Sequence, residues 1–373
     1  MRAIALGDSP DDDRVLVAVF LRGGADGLAL VPPVHDDGYH RLRPRLGVPA
    51  SRSLALGGPF GLAPELAELH PWFLSGQLAV VHAAGSDDDS RSHFVAQEVM
   101  ERGGASGAGG WIGRWLRARR AIGALTAVAA GPEVPDSLRG APSATALAGL
   151  MELGPGPEWS GLCASLAGLY ARDFQLGGSA RDALGAAERL AKLRADGGRA
   201  EHGARYPSAG DGGVAQAFGA HLAQLAALIR ARVGLVAACV DLAGWDSHFA
   251  QETIVAPRMR ALALGLSAFA TDLGPVLSRT SVVVMSEFGR RVAENASLGT
   301  DHGRGGVMFV LGGGTPGGMH CRWPGLEENQ LDGPGDLAVV HDYRDVLAAV
   351  LRRQGPVDPA IVFPDHSLAR MPV

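Results

Sequence analysis

The sequence predicts an α/β protein, a three-layer αβα sandwich with a mainly parallel sheet covered on both faces and a helical excursion over residues 132–213. Three observations carry this expectation. Short β-branched apolar runs alternate with Ala/Leu-rich segments of helical period, the pattern of strands joined by crossover helices. Apolar residues make up 47% of the 373-residue chain, ample for a large core. The 53 glycines and 23 prolines follow no short period, which points to many loops and excludes collagen-like or low-complexity readings.

Taken in order, residues 14–21 (RVLVAVFL) read as a buried strand that stops at Arg22-Gly23-Gly24. Residues 77–84 (QLAVVHAA) repeat that design, followed by a polar cluster and a helix from His93 to about Arg102. Residues 125–130, 233–240, 281–285 and 307–311 are further short strands. Between them, 179–196, 214–232 and 257–273 have helical period. Residues 132–213 are rich in Gly, Ala and helix formers with no clear strand, and read as a cap or insertion within one domain spanning 14–352. Residues 353–373 then form a C-terminal extension.

In such folds ligands gather beyond the carboxyl ends of the strands, and polar residues recur there. Asp26 sits in Gly23-Gly24-Ala25-Asp26-Gly27, either as an Asx-turn former or as a metal-ligating carboxylate. Ser92, in Ser90-Arg91-Ser92-His93-Phe94, opens a helix, either as its N-cap or as a hydroxyl that metal coordination turns into a nucleophile beside a helix-bound anion. Asp246 and His248 in Gly244-Trp245-Asp246-Ser247-His248 share one side if the backbone stays extended and diverge if it is helical. Glu287 leaves a buried strand and needs a partner, which is a metal or one of Arg290 and Arg291. In Thr300-Asp301-His302-Gly303-Arg304, His302 and Asp301 are candidate ligands, and Arg304 can meet a tetrahedral anion bidentately. Together these groups suggest a metal centre assembled from distant segments.

A net charge of −5 with interleaved signs lacks the electrostatic footprint of a nucleic-acid partner. Arg114 to Arg120 alternate with Trp115 and Leu116 and read as the solvated face of a surface helix. Cys163, Cys239 and Cys321 match no zinc spacing or disulfide framework and are expected to be reduced. No stretch reads as a membrane span, and Met1 to Arg14 is acidic, so the expected location is cytoplasmic.

The motifs LRGGADGL, SRSHF, GWDSH, SEFGR and GTDHGRGG, in this order, resemble the DUF1501 family over about residues 14–352. That family often begins with a twin-arginine export signal, which would make related proteins exported. It is similar to the alkaline phosphatase and sulfatase superfamily, which implies an alkaline-phosphatase-like fold. The resemblance also implies one or two divalent ions, zinc or alternatively magnesium, manganese or calcium. Carried over by position, Asp26, Ser92 and Glu287 would serve one ion, and Asp246, His248 and His302 the other. Phe288 stands where the superfamily commonly has a histidine ligand, and His93 or Asp301 are the substitutes. The implied activity is hydrolysis of a small phosphate or sulfate ester, with Ser92 or a metal-activated water as nucleophile and Arg290 or Arg304 neutralising charge. The alternatives are a degenerate binding or scaffolding protein with at most one ion, and a phosphomutase.

Overall fold

Along the strand Val15–Arg22 (β1), Val15, Val17, Val19 and Leu21 enter one buried apolar cluster while Leu16, Ala18 and Phe20 enter another. That alternation is what a strand covered on both faces requires. The computed structural model describes residues 14–123, 125–149, 159–170, 177–195 and 198–373. The remaining strands are β2 (Leu54–Gly57), β3 (Phe60–Leu62), β4 (Leu78–Gly85), β5 (Ala127–Ala130), β6 (Thr145–Leu147), β7 (Ala237–Ala243), β8 (Thr280–Met285), β9 (Gly306–Gly312), β10 (Gly318–His320) and β11 (His341–Asp342). The helices are α1 (Gly27–Leu30), α2 (Asp37–Leu42), α3 (His70–Leu74), α4 (His93–Arg102), α5 (Trp111–Arg119), α6 (Trp159–Tyr170), α7 (Gly177–Ala195), α8 (Gly213–Arg230), α9 (Gln251–Leu273), α10 (Tyr343–Arg353) and α11 (Pro359–Val362).

The main sheet has the order β10-β4-β9-β8-β1-β7-β5-β6, with β11 also paired to β4, and β2 and β3 form a separate hairpin. All main-sheet pairs are parallel except the two made by β9, so β9 alone runs backwards. Reversal matters for function. It puts the start of β9 at the edge where the parallel strands end, so the loop before β9 joins the loops after β1, β4, β7 and β8.

Helices α8 and α9 supply Phe218, Leu222, Leu262 and Phe269 to the first cluster, and α5 and α10 supply Trp111, Trp115, Val346 and Leu347 to the second. The mixed α/β class and mostly parallel sheet are as expected. Residues 251–279 are long and apolar enough to cross a membrane by length and composition, which corrects the expectation that no stretch is. Their apolar side chains are instead spent on the first cluster.

Two further expectations are corrected. Arg114 is buried, because α5 turns it toward backbone carbonyls and it donates to Val362 O at 2.8 Å and Gly109 O at 2.8 Å. Residues 145–147, within the excursion read as lacking strands, pair parallel to β5 as β6. The parts of that excursion at 150–158, 171–176 and 196–197 lie outside the described residues. Cys163, Cys239 and Cys321 are all free thiols.

Candidate metal centre

Four side chains from three loops converge at the carboxyl edge of the sheet. His93 is the first residue of α4 after β4, Asp246 and His248 follow β7, and His302 precedes β9. The Asp246 carboxylate lies 3.5 Å from His93 Nε2, 3.1 Å from His248 Nε2 and 3.3 Å from His302 Nε2. His248 Nε2 and His302 Nε2 are 2.9 Å apart. Zinc–nitrogen bonds of about 2.0–2.1 Å in a tetrahedron put neighbouring donors about 3.3 Å apart, and among the described residues His93, Asp246 and His302 each bring a donor atom within 4.8 Å of the other two, with His248 beside Asp246 and His302.

The opposite nitrogen of each ring has its own acceptor. His93 Nδ1 is 2.8 Å from Glu287 Oε1, His248 Nδ1 is 3.1 Å from Asp301 Oδ1, and His302 Nδ1 is 2.9 Å from the Arg91 carbonyl. Those partners place a proton on Nδ1 of each ring, so that the Nε2 atoms of His248 and His302 face each other and those of His93 and His302 lie beside the Asp246 carboxylate. Two Nε2 lone pairs at 2.9 Å repel unless a proton or a metal cation lies between them. His93 Nε2 is also buried without a hydrogen-bond partner. Three imidazole nitrogens and a carboxylate are a donor set suited to zinc.

Burial opposes the charge on Asp246, but the hydrogen bond and charge of Arg290, at 2.7 Å, outweigh it and hold its pKa below the usual carboxylate range. Burial likewise works against Glu287, and hydrogen bonds from His93 and Gln97 overcome it and keep it ionised. The bond to Glu287 raises the pKa of His93, whereas burial lowers that of His302. Asp301 is held low by its bond to His248.

Residues 79–357 match the family described as a protein of unknown function, DUF1501. The chain belongs to the DUF1501 family. No curated protein matches it. The matched stretch contains all four converging donors and stops short of Asp26.

In this DUF1501 chain Asp26 is spent elsewhere. Arg43 grips both its oxygens, at 2.6 and 3.1 Å, Gln251 donates to it at 2.6 Å, and its own helix α1 donates through the Leu28 N–H at 3.1 Å. Both partners are fully buried. Ser92 stands at the N-cap of α4, but its hydroxyl makes no capping hydrogen bond to the first turn. Glu287 pairs with neither Arg290 nor Arg291. It accepts from His93, from the Gly23 N–H at 2.8 Å and from Gln97 at 2.9 Å, and so holds the His93 ring in place.

Arg290 is buried, with its donors taken by Asp246, Gly23 O, Gly24 O at 2.7 Å and Thr300 O at 3.0 Å. Arg304 faces Asp332 at 3.0 Å. Phe288 packs against the rings of His93 and His302, with centroids 4.9 and 4.8 Å away, and fills the space beside them.

Sequence reasoning missed Gln97, Arg91, Asn295 and Arg43. Gln97 was within reach, because it lies one helical turn after His93 and so shares its face. Arg91 acts through its carbonyl, Asn295 by bonding Asp301 at 3.4 Å and the His248 carbonyl at 2.9 Å, and Arg43 by long-range packing, none of which leaves a local pattern.

Proposed function

We propose that this protein is a hydrolase of phosphate or sulfate esters that depends on one divalent ion, zinc by its donor set, held by His93, Asp246, His248 and His302. The observation that supports it is the convergence of three Nδ1-anchored imidazoles and one carboxylate at the strand ends. The resemblance of the chain's motifs to the alkaline phosphatase and sulfatase superfamily supplies the ester chemistry. When bound, such an ion acts as a Lewis acid and generates a nucleophile from water near neutral pH.

The chain's own residues then have distinct tasks. Glu287, Asp301 and the Arg91 carbonyl fix the three rings, and Arg290 keeps Asp246 ionised. The uncapped first turn of α4 offers N–H groups and the positive end of its dipole to an oxyanion. Side chains of Asp246 and His248 are 46% and 42% exposed, so a substrate reaches them from solvent. With Asp26 paired to Arg43, we propose one ion of the one or two expected, with metal-activated water rather than Ser92 as the nucleophile.

A second reading is a binding or scaffolding protein with a structural ion. Phe288 favours it, since its ring packs against His93 and His302 and fills the space beside them with a group that binds no ion. Metal analysis of the purified protein with a panel of phosphate monoesters, phosphodiesters and sulfate esters tests both. One zinc per chain with turnover, both lost in His302→Ala and turnover largely kept in Ser92→Ala, is the expected result. One zinc with no turnover across the panel favours the structural ion, and wild type without metal removes both readings.

A further inference from the structure

Arg22 closes β1, and Glu287 lies two residues beyond β8, the neighbouring strand in the sheet. The parallel register between these strands runs to Phe20 opposite Met285, so Arg22 and Glu287 come level two positions further on. Adjacent strands lie about 4.8 Å apart. The N–H of Gly23, the residue after Arg22, donates to Glu287 Oε1 at 2.8 Å. A guanidinium and a buried carboxylate placed in this way are expected to form a direct, charge-assisted pair. No such pair forms. Glu287 accepts from Gly23, His93, Gln97 and Ser286, and among the described residues no arginine bonds to it.

Gln97, on α4, stands between the two groups. Its Nε2 donates to Glu287 Oε1 at 2.9 Å, and its Oε1 accepts from Arg22 Nη1 at 3.3 Å. Only this orientation of the amide satisfies both sides, since a carboxylate accepts and a guanidinium donates. The other donors of Arg22 are engaged with acidic groups. Its Nε meets Asp241 at 2.5 Å and its Nη2 meets Glu101 at 3.1 Å, while the guanidinium carbon lies 4.6 Å over the Phe20 ring. The Glu287 side chain has no solvent exposure, so the effect of its charge is set by the partners the chain provides. A direct guanidinium pair would tie that charge to Arg22. With Arg22 held off, the carboxylate acts on His93 through Nδ1, and a carboxylate behind a ligand ring raises the basicity of the nitrogen that faces the ion.

We infer that Gln97 is a positioning residue of the metal centre: it separates Arg22 from Glu287, so that Glu287 is left to His93. This inference rests on the metal-centre reading above.

Competition between a chelator and the zinc-loaded full chain tests it without relying on turnover. Gln97→Ala should bind zinc roughly ten-fold more weakly than wild type, because Arg22 then reaches Glu287. Removing the guanidinium as well, in Gln97→Ala/Arg22→Gln, should bring the affinity back to within about three-fold of wild type. That rescue separates spacing from a plain structural bond, which a second substitution would not restore. A double variant that binds no more tightly than Gln97→Ala would overturn the inference, as would unchanged affinity in Gln97→Ala, and both results leave the metal centre standing. Wild type that takes up no zinc would remove the centre and the inference together. Should the double variant not fold, Gln97→Met is the second variant, since it fills similar volume without a hydrogen bond. Zinc binding at least about three-fold tighter than in Gln97→Ala supports spacing, and equal losses in the two count against it.

Discussion

A carboxylate leaving a buried strand must offset its desolvation with a cation, taken either from solvent or from the chain. At Asp26 the chain supplies Arg43, and at Asp246 the sole arginine, Arg290, leaves room for three imidazoles as well. Losing one member of a buried pair strands the other's charge. Asp26→Ala should therefore lower unfolding free energy by about 3–5 kcal/mol in denaturant titrations, with zinc content unchanged. Loss of zinc in a folded Asp26→Ala protein would restore the ligand role that the glycine-rich loop suggested. Glu287→Gln addresses the layer behind the donors, and competition with a chelator should show zinc affinity falling roughly ten- to hundred-fold.

Strand-end loops and the start of α4 set the spacing of the donors, and close backbone approach holds the loops together. Gly289 N donates to Arg304 O at 2.9 Å and Gly303 N to Gly289 O at 3.0 Å, which ties the turn after β8 to the turn before β9. A Cβ on Gly289 would sit 1.9 Å from the Gly305 carbonyl oxygen, and backbone atoms cannot rotate away. Gly289→Ala should thus separate the two turns, cost about 1–3 kcal/mol or more in thermal or denaturant unfolding, and weaken zinc binding by drawing His302 off the cluster. Unchanged stability and metal affinity would show that the turns have slack. The elements themselves were legible: the apolar run after Arg14 is β1, and the segment from His93 to Arg102 is α4. Bounds were less so where packing extends an element, as at α9, which begins at Gln251 rather than near Pro257.

Across the whole molecule, stability is linked to pH through a histidine outside the centre. His82 lies in β4 under Phe60 and Trp323, fully buried, and burial pushes its pKa down to about 4. The unfolded chain binds that proton near pH 6.5, so between 6.5 and about 4 the unfolded state holds more protons and stability falls as pH falls. Above 6.5 the full stability is present. A shift of this size corresponds to roughly 3 kcal/mol, and His82→Gln should remove most of that acid-dependent loss in denaturant titrations at pH 7 and 4.5. A variant as acid-sensitive as wild type would place the effect on other groups.

By itself the sequence determined the class of fold, because the alternation of apolar runs with helical segments reports burial one residue at a time. It also singled out polar side chains at the ends of buried strands, which must have partners. Which partner each one takes was decided only by the tertiary structure. Asp246, His248 and His302 meet because β7 and β9 run in opposite senses in the sheet, and Asp26 misses them because Arg43, from a helix end seventeen positions on, reaches it first. Pairing between distant segments depends on strand order and direction, and neither leaves a mark on local residue patterns.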